Sequence, residues 1–146
     1  MKRRRLLALL AAAAVAAPAL AQPEKAAGKK ATGKQRVVFQ VSDNDPAKWN
    51  LALNNARNVQ ADLGKDNVEI EIVAYGPGIN MLRGESPVAA RLAGALDDSV
   101  RLLACENTMQ NNKVGKADMY DGIQYVQAGV VHIMKRQQEG WAYIRP

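Results

Sequence analysis

Apolar, β-branched runs that alternate with helical patterns constrain the fold of this chain more than any other feature of its sequence. Arg36-Val37-Val38-Phe39-Gln40-Val41-Ser42 shows little polar alternation, as expected of a strand covered on both faces. Asp45-Pro46 then supplies a helix cap followed by proline at the first helical position, and Trp49, Leu53, Ala56 and Leu63 recur at helical spacing until Gly64. From Asn67 to Tyr75 the pattern alternates, with Val68, Ile70 and Ile72 on one face and Glu69 and Glu71 on the other. This predicts a second strand whose first half is wet on the acidic side. Gly76-Pro77-Gly78 breaks it. A short helix is expected over Pro87–Asp97, a third strand over Val100–Ala104, a fourth over Ile123–Gln127, a helix over Gly129–Gln138 and a fifth strand over Trp141–Ile144. Strands alternating with helices through short connections predict an α/β fold, with a mostly parallel sheet between helical layers.

The N-terminus carries different information. Met1-Lys2-Arg3-Arg4-Arg5 is a basic leader, Leu6 to Ala17 is uncharged and apolar, and Ala19-Leu20-Ala21 offers the small-x-small pattern of a cleavage site. These mark residues 1–21 as a signal peptide cut after Ala21, and predict a periplasmic or secreted protein. The apolar run falls short of the ~20 residues a membrane-spanning helix needs, so no membrane span is expected. Without the leader the formal charge falls from +6 to +2, and from Arg36 onward 12 basic residues face 13 acidic ones. A nearly neutral domain lacks the electrostatic footprint of nucleic-acid binding. Residues 22–35 contain no branched aliphatic or aromatic side chain and read as a disordered tether, leaving 36–146 as one domain.

Cys105 is the single cysteine. An exported chain with one cysteine has no internal disulfide, and an unpaired thiol in an oxidising compartment has to be buried or used. Parallel α/β sheets bind ligands at the carboxyl ends of their strands. There this chain places Ser42-Asp43-Asn44-Asp45-Pro46, Tyr75-Gly76-Pro77-Gly78, Cys105-Glu106-Asn107-Thr108 and Ala128-Gly129-Val130. At a strand exit leading into a helix, unpaired backbone amides favour a thiolate, while the neighbouring Glu106 opposes it. A small buried hydrophobe capping the core is the competing reading of Cys105.

Those turn motifs, together with Asn67–Gly78, Cys105–Met109 and the ending Gln138–Pro146, resemble the DsrE/DsrF family of sulfur-relay and related small proteins, in its exported branch. The resemblance covers nearly all of 36–146. It implies a three-layer α/β/α sandwich with a five-stranded sheet, assembly into homotrimers or hexamers, and a cysteine near the end of a central strand that carries sulfur as a persulfide. Cys105 falls where that cysteine is expected. On this reading its thiolate attacks a sulfane sulfur donor and passes the sulfur to an acceptor thiol. Asn107 and the turn amides stabilise the anion, and Asp43 takes a proton or orients a partner. Asn44, Gly76, Gly78 and Gly129 form the binding turns, the glycines allowing close backbone approach. With no second cysteine, the acceptor is a partner protein or a small thiol. No cofactor or metal is expected, and a carrier of this kind transfers sulfur without any requirement for turnover. The alternative is a non-catalytic homo-oligomeric binding module that uses the strand-end pocket for a small ligand or a protein.

Other residues read more plainly. Asp45 is a helix cap, and His132 is a partly exposed or core histidine within the last helix. Cys105 and Met109 at i,i+4, with Met81 and Met119 in nearby loops, have the softness of a Cu(I) site, but the methionines read as fillers of core gaps or interfaces. Gly76-Pro77-Gly78 matches no phosphate-loop pattern. Ile79-Asn80-Met81-Leu82-Arg83, an apolar connection, and Trp141 and Tyr143 of the last strand are expected at subunit contacts.

Overall fold

The computed structural model describes residues 33–146; the expected signal peptide and nearly all of the tether lie outside the described residues. Five strands pair in the order β4-β3-β2-β1-β5, all parallel: β1 (Gln35–Val41), β2 (Val68–Ala74), β3 (Arg101–Cys105), β4 (Gln124–Val126) and β5 (Ala142–Ile144). The helices are α1 (Pro46–Leu63), α2 (Ala89–Asp97), the short α3 (Glu106–Asn111) and α4 (Gly129–Gln138). From β1 to β4 the chain steps across the sheet in one direction. Right-handed crossovers therefore put α1 and α2 on one face. To reach β5 the chain must return from the β4 edge to the far side of β1, so the same handedness lays α4 on the opposite face. The α/β/α sandwich follows from that one reversal.

The two faces are built differently. Under α1 and α2 lies the larger apolar cluster, which includes Phe39, Trp49, Leu53, Ile70, Ile72, Leu92 and Leu102. Asp45 caps α1 as expected, its Oδ1 accepting from the Ala47 amide at 2.8 Å. Under α4 the apolar cluster is only Val38, Val73, Leu103, Ile133 and Trp141, and a charge is buried with it. Here the expectation of a wet acidic face on β2 is corrected. Glu71 is fully buried, because α4 crosses above it. Arg136 grips Glu71 with Nε to Oε2 at 3.0 Å and Nη2 to Oε1 at 2.8 Å. Arg101 Nη2 reaches Oε1 at 3.0 Å and His132 Nε2 lies 2.7 Å from Oε2. Arg36, Arg101 and Arg136 in turn stack on the Trp141 ring.

A second correction concerns the apolar connection after β2. Residues Gly76–Leu82 wind into a 3₁₀ turn that turns Ile79, Met81 and Leu82 into the chain's own core, at 0–1% exposure. They are not available for subunit contacts. Trp141 is likewise buried, whereas Tyr143 remains exposed. The turn fits against β1 because Gly78 has no side chain: a Cβ there would stand 2.3 Å from the Val41 carbonyl oxygen.

Replacing Gly78 by alanine should therefore cost about 1–3 kcal/mol in a urea denaturation; wild-type stability would contradict the packing. Burial pushes the Glu71 carboxyl up, but the bonds from Arg136 and His132 and the charge of Arg101 outweigh it, and the group ends below its ordinary 4.5. Its stabilising contribution is then complete above the unfolded-state value and is lost as pH falls through the lower folded-state value. Melting temperature should drop on acidification below about pH 4.5, and less steeply in Glu71→Gln than in the wild type.

Candidate functional site

The candidate site lies at the β3–β4 pair, whose last paired residues are Cys105 and Val126. β3 leaves the sheet toward α3, whose Met109 joins the cluster beneath α1 and α2, while β4 leaves toward α4 on the other face. Adjacent strands whose exits diverge to opposite faces open a crevice between their carboxyl ends. Cys105 is the last residue of β3 and stands in that crevice, paired with Val126 of β4. Leu103 faces α4, so Cys105, two residues on, faces it as well.

The thiol is buried, at 5% exposure, and burial alone pushes its pKa up. The Thr108 hydroxyl and the backbone amides of Gly129 and Thr108 oppose that and, with a smaller part from the Asn107 amide, prevail, holding it below the ordinary thiol value of 9.0; the Asn107 amide itself donates to the Gln127 carbonyl at 3.1 Å. Hydrogen bonds to the charged form favour ionisation, and here they come from both sides of the crevice. One contact works the other way: the Gln127 carbonyl, 3.8 Å from Sγ, accepts from the neutral thiol. Glu106 is drawn off to Lys116 at 3.4 Å, which weakens the opposition its sequence position suggests.

The structure gathers only some of the residues singled out from sequence. Gly129 packs against the Tyr75 ring, where an added Cβ would come within 3.1 Å of Tyr75 Cβ, and its amide serves Cys105. Gly76 takes a positive φ of 53° and donates its amide to Thr108 Oγ1 at 2.9 Å, so it acts through Thr108 rather than on sulfur. The Asn107 side chain is exposed and accepts from Gln127 Nε2 at 2.6 Å, a bond that fastens α3 to the end of β4. Gly78 serves the packing of β1 described above. Asn44 meets Asn80 at 3.4 Å on the surface. Asp43 is not brought to the thiol: it follows the end of β1, which lies two strands from β3, or ~10 Å across the sheet. Its carboxylate binds Lys48 at 2.9 Å and Arg145 at 3.4 Å, and the Lys48 bond is the main cause of its lowered pKa.

Three neighbours were missed in the sequence as site residues. Ala74 pairs with Ala104, so Tyr75 follows beside Cys105 on the same face; burial, and after it Tyr143, hold its phenol above its ordinary value. Thr108 stands at the third position of α3 after Cys105, the spacing at which a side chain reaches back to a helix's first residue. That spacing was a readable signal. Gln127 carried none, since only the pairing of β3 with β4 brings it to the thiol. The cavity at the end of β1, among Gln40, Ser42, Asp43, Lys48 and Pro146, is only about 10 Å³. A larger groove of about 210 Å³ lies between α1 and α2, on the face away from Cys105.

A cysteine at the end of a central strand in a parallel α/β/α sandwich, with a divergent crevice around it, defines a class of protein. Residues 35–146 match the model of the DsrE/DsrF-like family, and the chain belongs to that family. It is similar to the solved structure of a protein of unknown function, MTH1491, from Methanobacterium thermoautotrophicum, with 41% identity and a TM-score of 0.74 over 77% of this chain and all of that one. The same fold, at 13% and 14% identity, appears in BT1422 from Bacteroides thetaiotaomicron and in the ychN protein from E. coli, each with a TM-score of 0.59 over 77% of this chain and 95% and 99% of theirs. The comparison with curated proteins gives no match. Among the described residues no helix is long and apolar enough to cross a membrane.

Thr108→Val keeps the shape of the side chain and removes its hydroxyl. The midpoint of Cys105 alkylation against pH should rise by about one unit; an unchanged midpoint would remove Thr108 from the site.

Proposed function

We propose that this protein is an exported carrier of sulfane sulfur that works through Cys105. The observation that carries the reading is the place of Cys105, the last residue of β3, in the crevice where β3 and β4 diverge, with the Thr108 hydroxyl and the amides at the starts of α3 and α4 favouring its thiolate despite burial. The thiolate attacks the terminal sulfur of a polysulfide. A new S–S bond forms at Cys105 as the donor's S–S bond breaks, and the shortened polysulfide leaves with the electron pair. The amides that held the thiolate then hold the persulfide anion. An acceptor thiolate takes the outer sulfur and returns Cys105 as thiolate, so nothing is oxidised or reduced overall. Tyr75 and Asn107 border the approach, and the Asp43 role expected from sequence finds no support in its pairing with Lys48 and Arg145. The basic and apolar leader of residues 1–21 supports export. The exposed apolar stripe of Val130, Val131 and Met134 on α4, with Tyr143 and Ile144 on the edge strand, supports a homo-oligomer.

The burial of Cys105 favours a second reading, a homo-oligomeric binding module in which the cysteine only packs. Intact mass separates the two. After exposure of the mature protein to polysulfide, a gain of one sulfur atom (~32 Da), reversed by reductant and absent in Cys105→Ser, is the expected result. No gain, with a thiol that resists alkylation until the protein is unfolded, would overturn the carrier reading in favour of the module.

A further inference from the structure

We propose that Glu71 is a positioning residue for Cys105: through His132 and Arg136 it sets where the first turn of α4 stands above the thiol. The inference rests on the carrier reading of Cys105. Its starting point is how little else holds α4 down. Of this helix only Gly129 and Ile133 are buried, and Val130, Val131 and Met134 point outward. Against that small apolar contact, Glu71 supplies three bonds to α4, two from Arg136 and one from His132. His132 and Arg136 lie four residues apart and so share one helix face. His132 is one turn from Gly129, which packs on Tyr75, the neighbour of Cys105 across the sheet; the Gln127 carbonyl just ahead of this turn lies 3.8 Å from the Cys105 sulfur, and the Gly129 amide favours its thiolate. A helix turn transmits an axial shift directly, so a displacement at His132 moves the Gly129 amide by a similar distance.

The register is fixed from two ends. At one end Gly129 rests on Tyr75 and Val73, where an added Cβ would come within 3.1–3.3 Å of both. At the other end Glu71 holds Arg136. The remaining charges around the cluster complete its balance: Arg101 joins Glu71 to Glu69, Arg136 bonds Glu139, and Arg36 donates to the Glu139 carbonyl. Without the Glu71 charge, the Arg101 and Arg136 guanidiniums are left facing each other against Trp141, and repulsion lifts α4.

The direction of the effect distinguishes positioning from simple charge. Glu71 lies four residues before Tyr75, ~13 Å along the strand from the thiol. Removing a negative charge at that distance would, by Coulomb attraction alone, favour the thiolate slightly. Loss of the Gly129 amide disfavours it. Positioning therefore predicts an upward shift of the thiol midpoint where charge alone predicts a small downward one.

The test is the pH profile of Cys105 alkylation in the wild type, Glu71→Gln, Glu71→Asp and His132→Ala, with circular dichroism confirming the fold. Glu71→Gln should slow alkylation at pH 7 about tenfold by raising the midpoint one unit, with the high-pH plateau rate kept. Glu71→Asp, which keeps the charge but shortens the reach, should fall between. His132→Ala leaves both arginines paired and should raise the midpoint by a smaller amount; it decides the matter should Glu71→Gln fail to fold. A folded variant whose midpoint stays or falls overturns the positioning role alone. A wild-type thiol that never reacts in the native state overturns the carrier reading and this inference with it.

Discussion

One buried carboxylate holds the second layer of this protein to its sheet. Glu71 sits at zero exposure in the middle of β2, a position that in a parallel sheet is normally apolar. Two guanidiniums and an imidazole satisfy both its oxygens, which is the condition under which a buried charge is tolerated. Removing a single partner from such a cluster typically costs about 3–5 kcal/mol. The arrangement explains why α4, with one side chain of substantial apolar burial, can be the one helix on its face among the described residues, where α1 and α2 cover the opposite face with a much larger cluster. It also explains the three arginines around Trp141, whose ring closes the amino-terminal end of the same layer.

At the opposite end of the sheet the first turn of α4 borders the candidate crevice, where Gly129 packs on Tyr75. The chain's one reversal of direction, between β4 and β5, leaves β3 and β4 exiting to opposite faces, and Cys105 occupies the gap. Its donors come from α3 on one side and α4 on the other. Burial and ionisation normally conflict for a thiol; here burial excludes water while fixed amides and a hydroxyl supply what water would have given the anion. On the reading proposed above, this member of the DsrE/DsrF-like family meets at its one cysteine the conditions for nucleophilic sulfur chemistry.

Much of this was legible before the structure. Periodicity gave the order of strands and helices, Asp45-Pro46 gave the start of α1, and the bounds of α4 at Gly129 and Gln138 agree with those expected. Cys105 was found because a strand exit is where a parallel sheet presents chemistry. What could not be read was tertiary. Alternation along β2 separates Glu69 and Glu71 from the isoleucines, but it cannot say that a helix whose His132 and Arg136 lie 61 and 65 residues further along the chain, rather than water, covers the side on which Glu71 stands. Ile79, Met81 and Leu82 look like an exposed connection until a 3₁₀ turn, made feasible by Gly78 against Val41, folds them inward. Asp43 shares an edge with Cys105 in sequence logic, yet the strand order puts β2 between them. Gln127 and Tyr75 reach the thiol only through strand pairing.

The central claim is that Cys105 is buried and yet ionises more easily than an ordinary thiol. The most direct measurement is a titration of the thiolate by its ultraviolet absorbance in the wild-type protein, with Cys105→Ser as the blank. A midpoint clearly below the ordinary value of 9.0 is the expected result. A midpoint at or above it would mean that burial outweighs the donors, and Cys105 would be part of the core rather than the site.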